Sequence, residues 1–361
     1  MGLDALGWLM EHGGPVIRYR TARDLLGEAS LDDLRDDLLS SALVERWLGL
    51  LQPRFRRWEI HGAKPENFEN AMGKLYECGL RRGMPAFDER VEPFLGLLGV
   101  MVEEMEAGEA TYSWSYMAMV AAFLSMTGYS GEGPVDHVLK RRLDAIHGFV
   151  VEGGLSDVYI PQEAVGSVPR SFRGRPILNP ELDGEGGSAL PSIYDVYGIL
   201  HSEPVMGSPC TRGKAEEIIG FVLSPEYQRL YPGYGVLYEP DPRRFYAAGW
   251  SLHLFGYFDE HHHEEALRRS ICLDRGNLLR LGLLARSEAA RGHPWFSRIM
   301  GGLRRYGDDD GVFSLPREMM PEKGSGYWVS GRRMGLEEKR RSRRAIALES
   351  TFRYHEIASH F

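Results

Sequence analysis

Cysteine is scarce in this chain. Cys78, Cys210 and Cys272 are the only three and lie far apart. An odd, dispersed set suggests neither a disulfide framework nor a Cys-x-x-Cys metal knuckle. They read as small buried hydrophobes in a reducing compartment. Long apolar runs are missing too: nowhere do about 18 apolar residues follow one another, so no membrane span is expected. The opening residues, Met1-Gly2-Leu3-Asp4-Ala5-Leu6-Gly7-Trp8, carry neither the basic stretch nor the apolar stretch of a secretory signal. The expected location is cytoplasmic. No Gly-x-Gly-x-x-Gly loop, Walker A loop or Gly-x-Ser-x-Gly elbow occurs, and no cofactor is expected. Basic residues are in deficit, 43 Lys and Arg against 51 Asp and Glu for a net charge of −8. A duplex nucleic-acid binder carries the opposite balance, so no nucleic-acid partner is expected.

What is present is helical periodicity. Hydrophobic residues make up 43% of the 361 residues and charged ones 26%, an ordinary globular mixture with enough chain for a large core. Pro15 stands where a first-turn proline belongs, and Val16, Tyr19, Ala22, Leu25 and Leu26 follow at spacings of three and four until Gly27. The same pattern predicts helices over Pro65–Leu80, Val91–Met105, Tyr112–Met126, Val135–Val151, Pro191–Leu200, Arg212–Leu223, Phe245–Tyr257, Glu264–Ala285, Pro294–Tyr306 and Leu336–Ile357. Strand signals are few; Tyr234–Tyr238 is a short β-like piece among Gly and Pro. Two long loops rich in turn residues, at about 153–191 and 307–335, interrupt the helices. Helices of one style flank both loops, so a single domain over residues 1–361 is expected.

Three stretches carry a family likeness. They are Trp8-Leu9 with Pro15-Val16-Ile17-Arg18-Tyr19-Arg20-Thr21-Ala22-Arg23-Asp24-Leu25-Leu26, then Arg57-Trp58-Glu59-Ile60-His61-Gly62-Ala63-Lys64, then Tyr306-Gly307-Asp308-Asp309-Asp310-Gly311-Val312-Phe313 with the basic and acidic residues of 337–344 and 349–352. Together they resemble bacterial proteins labelled squalene-cyclase-like or prenyltransferase-like. That resemblance implies an all-α fold, an α/α toroid in which two rings of helices enclose a cavity. Asp310-Gly311-Val312-Phe313 is similar to the Asp-Gly-x-Trp end of terpene-cyclase repeats, where the Gly makes a tight turn and the aromatic packs between helices. A class II cyclase needs Asp-x-Asp-Asp, and Asp308-Asp309-Asp310-Gly311 is one carboxylate short. The Asp, Cys and His zinc ligands of a protein prenyltransferase cannot be placed. The likeness therefore speaks to fold more than to catalysis.

Several residues could carry chemistry. His61, at a helix entrance behind Trp58, could donate or accept a proton, or be a hydrogen-bonded loop histidine. Asp309 in its acidic run could supply a general acid, although a solvated turn explains the run more simply. Glu349 lies among buried positions of the last helix; unpaired it would be an acid, and paired with an arginine a structural anion. Trp58, Trp114, Tyr116, Trp250, His253 and Trp328 offer aromatic walls for an apolar or cationic ligand, with core packing as the plainer account. Arg340 and Arg341, within the basic stretch 332–344, could clamp an anion or form a solvated face. His261-His262-His263-Glu264-Glu265 invites a metal reading, but an exposed helix start explains it better, and no metal is expected.

Three functions compete at this stage. The first is a cavity that binds or transforms a hydrophobic, isoprenoid-like small molecule, with lyase or isomerase chemistry if it is an enzyme. The second is a HEAT-like helical scaffold for protein partners. The third is carbohydrate processing, for which Glu59, His61, His253 and Glu349 are the available side chains.

Overall fold

The computed structural model describes residues 3–108, 114–153, 155, 158–184, 186–231, 235–239, 243–248, 252–254, 256–257 and 276–361. The chain is mostly helical. The first helices are α1 (Leu3–His12), α2 (Pro15–Arg20, continued as a π-helical turn over Thr21–Leu26), α3 (Asp32–Leu39), α4 (Ala42–Leu50), α5 (Arg57–Ile60), α6 (Phe68–Glu77) and α7 (Pro85–Glu106). Then come α8 (Trp114–Met126), α9 (Gly133–Glu152), α10 (Ile193–Leu200), α11 (Glu203–Gly207), α12 (Pro209–Val222) and α13 (Pro225–Gln228). The last are α14 (Asn277–Leu284), α15 (Glu288–Arg291), α16 (Pro294–Arg304) and α17 (Arg343–Ala358). The backbone forms two compact units, one of Met1–Leu97 with Phe255–Phe361, the other of Leu98–Leu254. Among the described residues, no helix is long and apolar enough to cross a membrane.

The all-α expectation needs one correction. The second unit carries a small sheet of order β1-β2-β5-β6, from Tyr159–Ile160, Ile177–Leu178, Gly235–Glu239 and Arg244–Ala248. A two-stranded piece, β3 (Asp183–Gly184) and β4 (Gly187–Ser188), stands apart from it. The helix expected over Phe245–Tyr257 is instead strand β6 for its described first part, antiparallel to β5 in the register Val236↔Ala247 and Tyr238↔Phe245. Adjacent aromatics such as Phe245 and Tyr246 suit a pleated ribbon. Cross-strand packing of Tyr238 on Phe245, with ring centroids 5.1 Å apart, supplies what helical spacing would not. The rest of that unit is a helical core. Met117 to Met126 are all buried on α8, which packs on α9 and α10. Arg142 of α9 meets Asp195 of α10 with two bonds of 2.8 and 3.0 Å, and Asp195 also closes a capping box with Ser192.

The first unit depends on two helices with unusual interiors. On α6, Glu69, Asn70, Lys74 and Glu77 are all buried; on α17, Glu349, Ser350, Thr351, Arg353 and His355 are. Both helices lie beneath the irregular segment 305–342. That segment has only isolated bridges, Gly307↔Phe313 and Glu322↔Arg333, and two 3-10 turns. Its backbone groups must find partners elsewhere, because a buried N–H or C=O left unpaired is costly. The helices supply them. Asn70 Oδ1 accepts from Trp328 N at 2.7 Å, Thr351 Oγ1 from Phe313 N at 2.8 Å and Ser350 Oγ from Leu315 N at 3.0 Å. Arg353 donates to the Met334 carbonyl at 2.7 Å, and Lys74 Nζ to those of Arg333, at 3.1 Å, and Gly335. Trp328 lies flat on α6 at Gly73: a methyl group there would come within 2.4 Å of the indole.

Cys78 is buried and its thiol is pushed up to about 12, chiefly by burial. Cys210 is exposed, against expectation, and Cys272 lies outside the described residues.

Two measurements follow from this core. Gly73→Ala should destabilise the protein by about 1–3 kcal/mol, since neither the indole nor the helix backbone has room to withdraw; thermal unfolding reads it as a Tm several degrees lower. The second is a pH dependence. Burial first, then repulsion from Arg286 and Arg291, lowers His360 from 6.5 to about 4. The unfolded chain therefore takes up a proton in this window that the folded one refuses. Stability should be full above pH 6.5 and fall as the pH drops towards 4, and His360→Gln should flatten that slope in denaturant titrations across the same range.

Candidate functional site

The residue pair with the clearest chemical potential is His61 with Glu69. His61 follows α5, in a loop shaped by two asparagines. Asn67 Oδ1 accepts from Lys64 N at 2.8 Å, and Asn70 Nδ2 donates to the carbonyls of Gly62 and Lys64 at 2.8 and 2.7 Å. Glu69 sits in the first turn of α6 and is fully buried, its Oε2 2.6 Å from His61 Nδ1. The imidazole side chain itself is 38% exposed. A buried carboxylate on Nδ1 fixes the ring's orientation and its tautomer. The second oxygen, Oε1, is buried and has no hydrogen-bond partner among the described residues.

A second loop completes the site. Tyr327 stacks on His61, the ring centroids 4.7 Å apart and the planes 21° from parallel, and its own ring is partly exposed. The tyrosine is placed by its neighbours: Gly326 N donates to Ala63 O at 2.8 Å, and Arg333 Nη2 donates to Ala63 O and Gly326 O at 3.0 and 3.2 Å. Arg333 is buried and lies over the Trp47 ring, 5.4 Å from its centroid. Burial lowers its guanidinium, while Glu322 and then Glu69 oppose that shift, so its charge is felt at Glu69.

The remaining sequence candidates are dispersed. Glu349 is buried and salt-bridged: Arg340 Nε reaches both its oxygens, at 2.7 and 2.9 Å, while Leu336 N and Glu337 N donate to Oε1 at 2.8 and 2.9 Å. It is a structural anion, and Arg340, which also donates to Met320 O at 2.7 Å, is its cation rather than a ligand clamp. Arg341 is exposed. Asp309 is exposed in the turn expected of a solvated acidic run, where Asp308 Oδ1 accepts from Asp310 N and Val312 N. Trp328 is core, edge-on to Tyr76. In the other unit Trp114 and Tyr116 are half-buried on α8, and His253 bonds the Leu230 carbonyl at 2.7 Å and stacks on Tyr227. Trp250, His261, His262, His263 and the side chain of Trp58 lie outside the described residues.

Sequence reading found His61 but missed Glu69 and Tyr327. Eight positions separate Glu69 from His61, and it reads as a solvent-facing acid in a helix's first turn. The Asp-Asp-x-x-Asp spacing of diphosphate-binding helices occurs at Asp32, Asp33 and Asp36 of α3. There the carboxylates are exposed, and Asp32 is engaged by Arg35 at 2.7 Å. Among the described residues no three His, Cys, Asp or Glu side chains are grouped to hold a metal ion.

The role given to Glu349 is testable. Glu349→Ala would strand the half-buried Arg340 and two backbone N–H groups, at a cost of about 3–5 kcal/mol. Chemical denaturation should show this as a lower midpoint, whereas a solvent-screened pair would change it little.

Set against protein-family models, curated proteins and solved structures, the chain matches none of them.

Proposed function

We propose that the chain is an enzyme that moves a proton on a small, largely apolar molecule, with His61 as the acid–base group and Glu69 as the carboxylate that orients it. The observation that carries this reading is the 2.6 Å contact between a fully buried carboxylate and a partly exposed imidazole. Burying an anion is expensive, and the expense is hard to account for if the histidine only fills a loop. A held Nδ1 prepares Nε2 for exchange, the arrangement used wherever a histidine serves as a general base or acid. Tyr327 forms an aromatic wall against the same ring, which suits an apolar ligand body.

The helical-toroid class, with its hydrophobic or isoprenoid-like ligands, is the setting we favour for this chemistry. Supporting it is the turn at Asp310-Gly311-Val312-Phe313. Gly311 has φ +79°, and Phe313 stacks on Tyr354 of α17 with ring centroids 3.7 Å apart. This is the division of labour between glycine and aromatic that the resemblance implies. His355 adds a bond from its Nε2 to the Gly311 carbonyl at 2.9 Å.

The test uses farnesol as probe and protein labelled at histidine, with the His61 resonance assigned through His61→Gln. Titration up to about 1 mM, the upper range of ordinary substrate affinities, should move the His61 signal saturably. Tyr327→Ala should weaken the effect while leaving the fold intact. A His61 signal that stays still across the titration refutes the apolar ligand. Glu69→Gln should change the Nδ1 proton signal without changing the Tm by more than a few degrees, and an unaltered Nδ1 signal refutes the dyad.

A further inference from the structure

Tyr327 brings a hydroxyl as well as a ring to the His61 site. Among the described residues that hydroxyl makes no hydrogen bond, and the residue is 39% exposed. The hydroxyl is not what positions the side chain. Backbone bonds on either side do so, Gly326 N to Ala63 O at 2.8 Å and Trp328 N to Asn70 Oδ1 at 2.7 Å, together with the stack on His61. A structural tyrosine commits its hydroxyl to a partner. This one holds a proton donor in a fixed place beside an oriented imidazole.

Glu69 indicates which way a proton moves. The residue is fully buried, His61 Nδ1 engages its Oε2 at 2.6 Å, and among the described residues nothing donates to Oε1. A buried anion with that imidazole on one oxygen and no donor on the other favours a ring that becomes cationic. His61 therefore takes a proton from the ligand as the first step. The ligand keeps the electron pair of the broken bond, and the charge that develops needs a donor of its own.

We propose that Tyr327 is a second catalytic residue, and that the substrate is an apolar carbonyl compound with a hydrogen on the carbon beside the carbonyl. This rests on the acid–base reading of His61. The imidazole removes that hydrogen as a proton. The C–H pair becomes a carbon–carbon double bond, the carbonyl π pair moves to oxygen, and the Tyr327 hydroxyl hydrogen-bonds the enolate oxygen. Return of the proton to the same carbon exchanges it with solvent; return to a conjugated carbon shifts a double bond. Neither outcome consumes an oxidant, a reductant or a second substrate. An isolated alkene has no oxygen on which the charge could settle, so the hydroxyl selects the carbonyl class.

Deuterium uptake from heavy water into geranylacetone, an apolar ketone, followed by mass spectrometry, tests this. The protein should load deuterium beside the carbonyl faster than buffer alone, and His61→Gln should return the rate to that of buffer. Tyr327→Phe keeps the ring, so the Tm and the His61 resonance should stay in place while exchange slows about a hundredfold, the loss of one enolate donor. Unchanged exchange in Tyr327→Phe overturns the role of the hydroxyl and leaves the His61 reading standing. No exchange of geranylacetone, with farnesol still moving the His61 signal, overturns the carbonyl class and leaves the apolar site. Exchange that persists in His61→Gln refutes the acid–base reading and this proposal with it.

Discussion

The first unit is governed by a shortage of backbone partners. Segment 305–342 crosses a buried surface with almost no ladder of its own, and every amide it brings inside needs an acceptor or donor. Lys74, Glu349 and Arg353 meet that need with charge, and Asn70, Ser350 and Thr351 with neutral groups. Charge is the costlier means, because each ion must first leave water. It is tolerable here because the ions are cross-linked: Arg340 neutralises Glu349, Arg353 meets Glu77 at 2.5 Å, and Lys74 meets Glu322 at 2.9 Å. Each ion thus has an opposite charge, and Lys74, Glu322, Arg340, Glu349 and Arg353 each have a backbone bond as well, the condition under which a buried pair holds a structure to one arrangement. Arg20 follows the same rule elsewhere in this unit, bonding Glu77 O at 3.0 Å and Asp24 at 3.0 Å while its guanidinium lies over Phe352.

This arrangement explains what could and could not be read from sequence. Apolar spacing located most helices because apolar side chains face a core wherever they are. Met117–Met126, apolar all round, reads as buried and is. Asn70, Lys74 and Glu77 recur four and three apart with Glu69 beside Asn70, and on any amphipathic helix such a polar stripe marks the face towards water. The burial of that face depends on a segment some 250 residues away, and no local pattern announces it. Glu69 was lost for the same reason. Glu349 fared better because Leu348 and Phe352 flank it, so its own neighbours reported the burial. Of the sheet only β5 shows in the sequence, as the β-like piece Tyr234–Tyr238: β1, β2 and the short parallel contact Ile177↔Val236 are too brief to set up an alternation.

The extended helix expected to begin at Leu336 shows the competition at one point. Residues 336–342 have helix-forming composition, yet the helix starts only after Ser342, whose hydroxyl accepts from Ala345 N at 3.1 Å. The N–H groups of Leu336 and Glu337 are taken by Glu349 instead, and Arg340 reaches back to the same carboxylate. A buried anion with three donors outweighs the few tenths of a kcal/mol per residue that propensity offers. The turn that results brings Glu337, Glu338 and Lys339 to the surface side by side rather than distributing them around a helix.

The same loop ties stability to the His61 site. Trp328 is seated on α6 because Gly73 leaves room for its ring and Asn70 holds its amide. Tyr327, one residue earlier, is thereby held against His61, while Glu69, one residue before Asn70 on the same helix, holds His61 from the other direction. Helix α6 thus serves the loop at four positions: its glycine admits the tryptophan, its asparagine fixes the loop, its glutamate holds the imidazole, and its lysine closes the far end of the segment. A change to any one of them is felt at the imidazole through rigid neighbours rather than through a flexible linker, which is how a site gains the sub-ångström placement that proton transfer demands. The buried polar groups of α6 are therefore part of the same arrangement that holds His61 against Glu69.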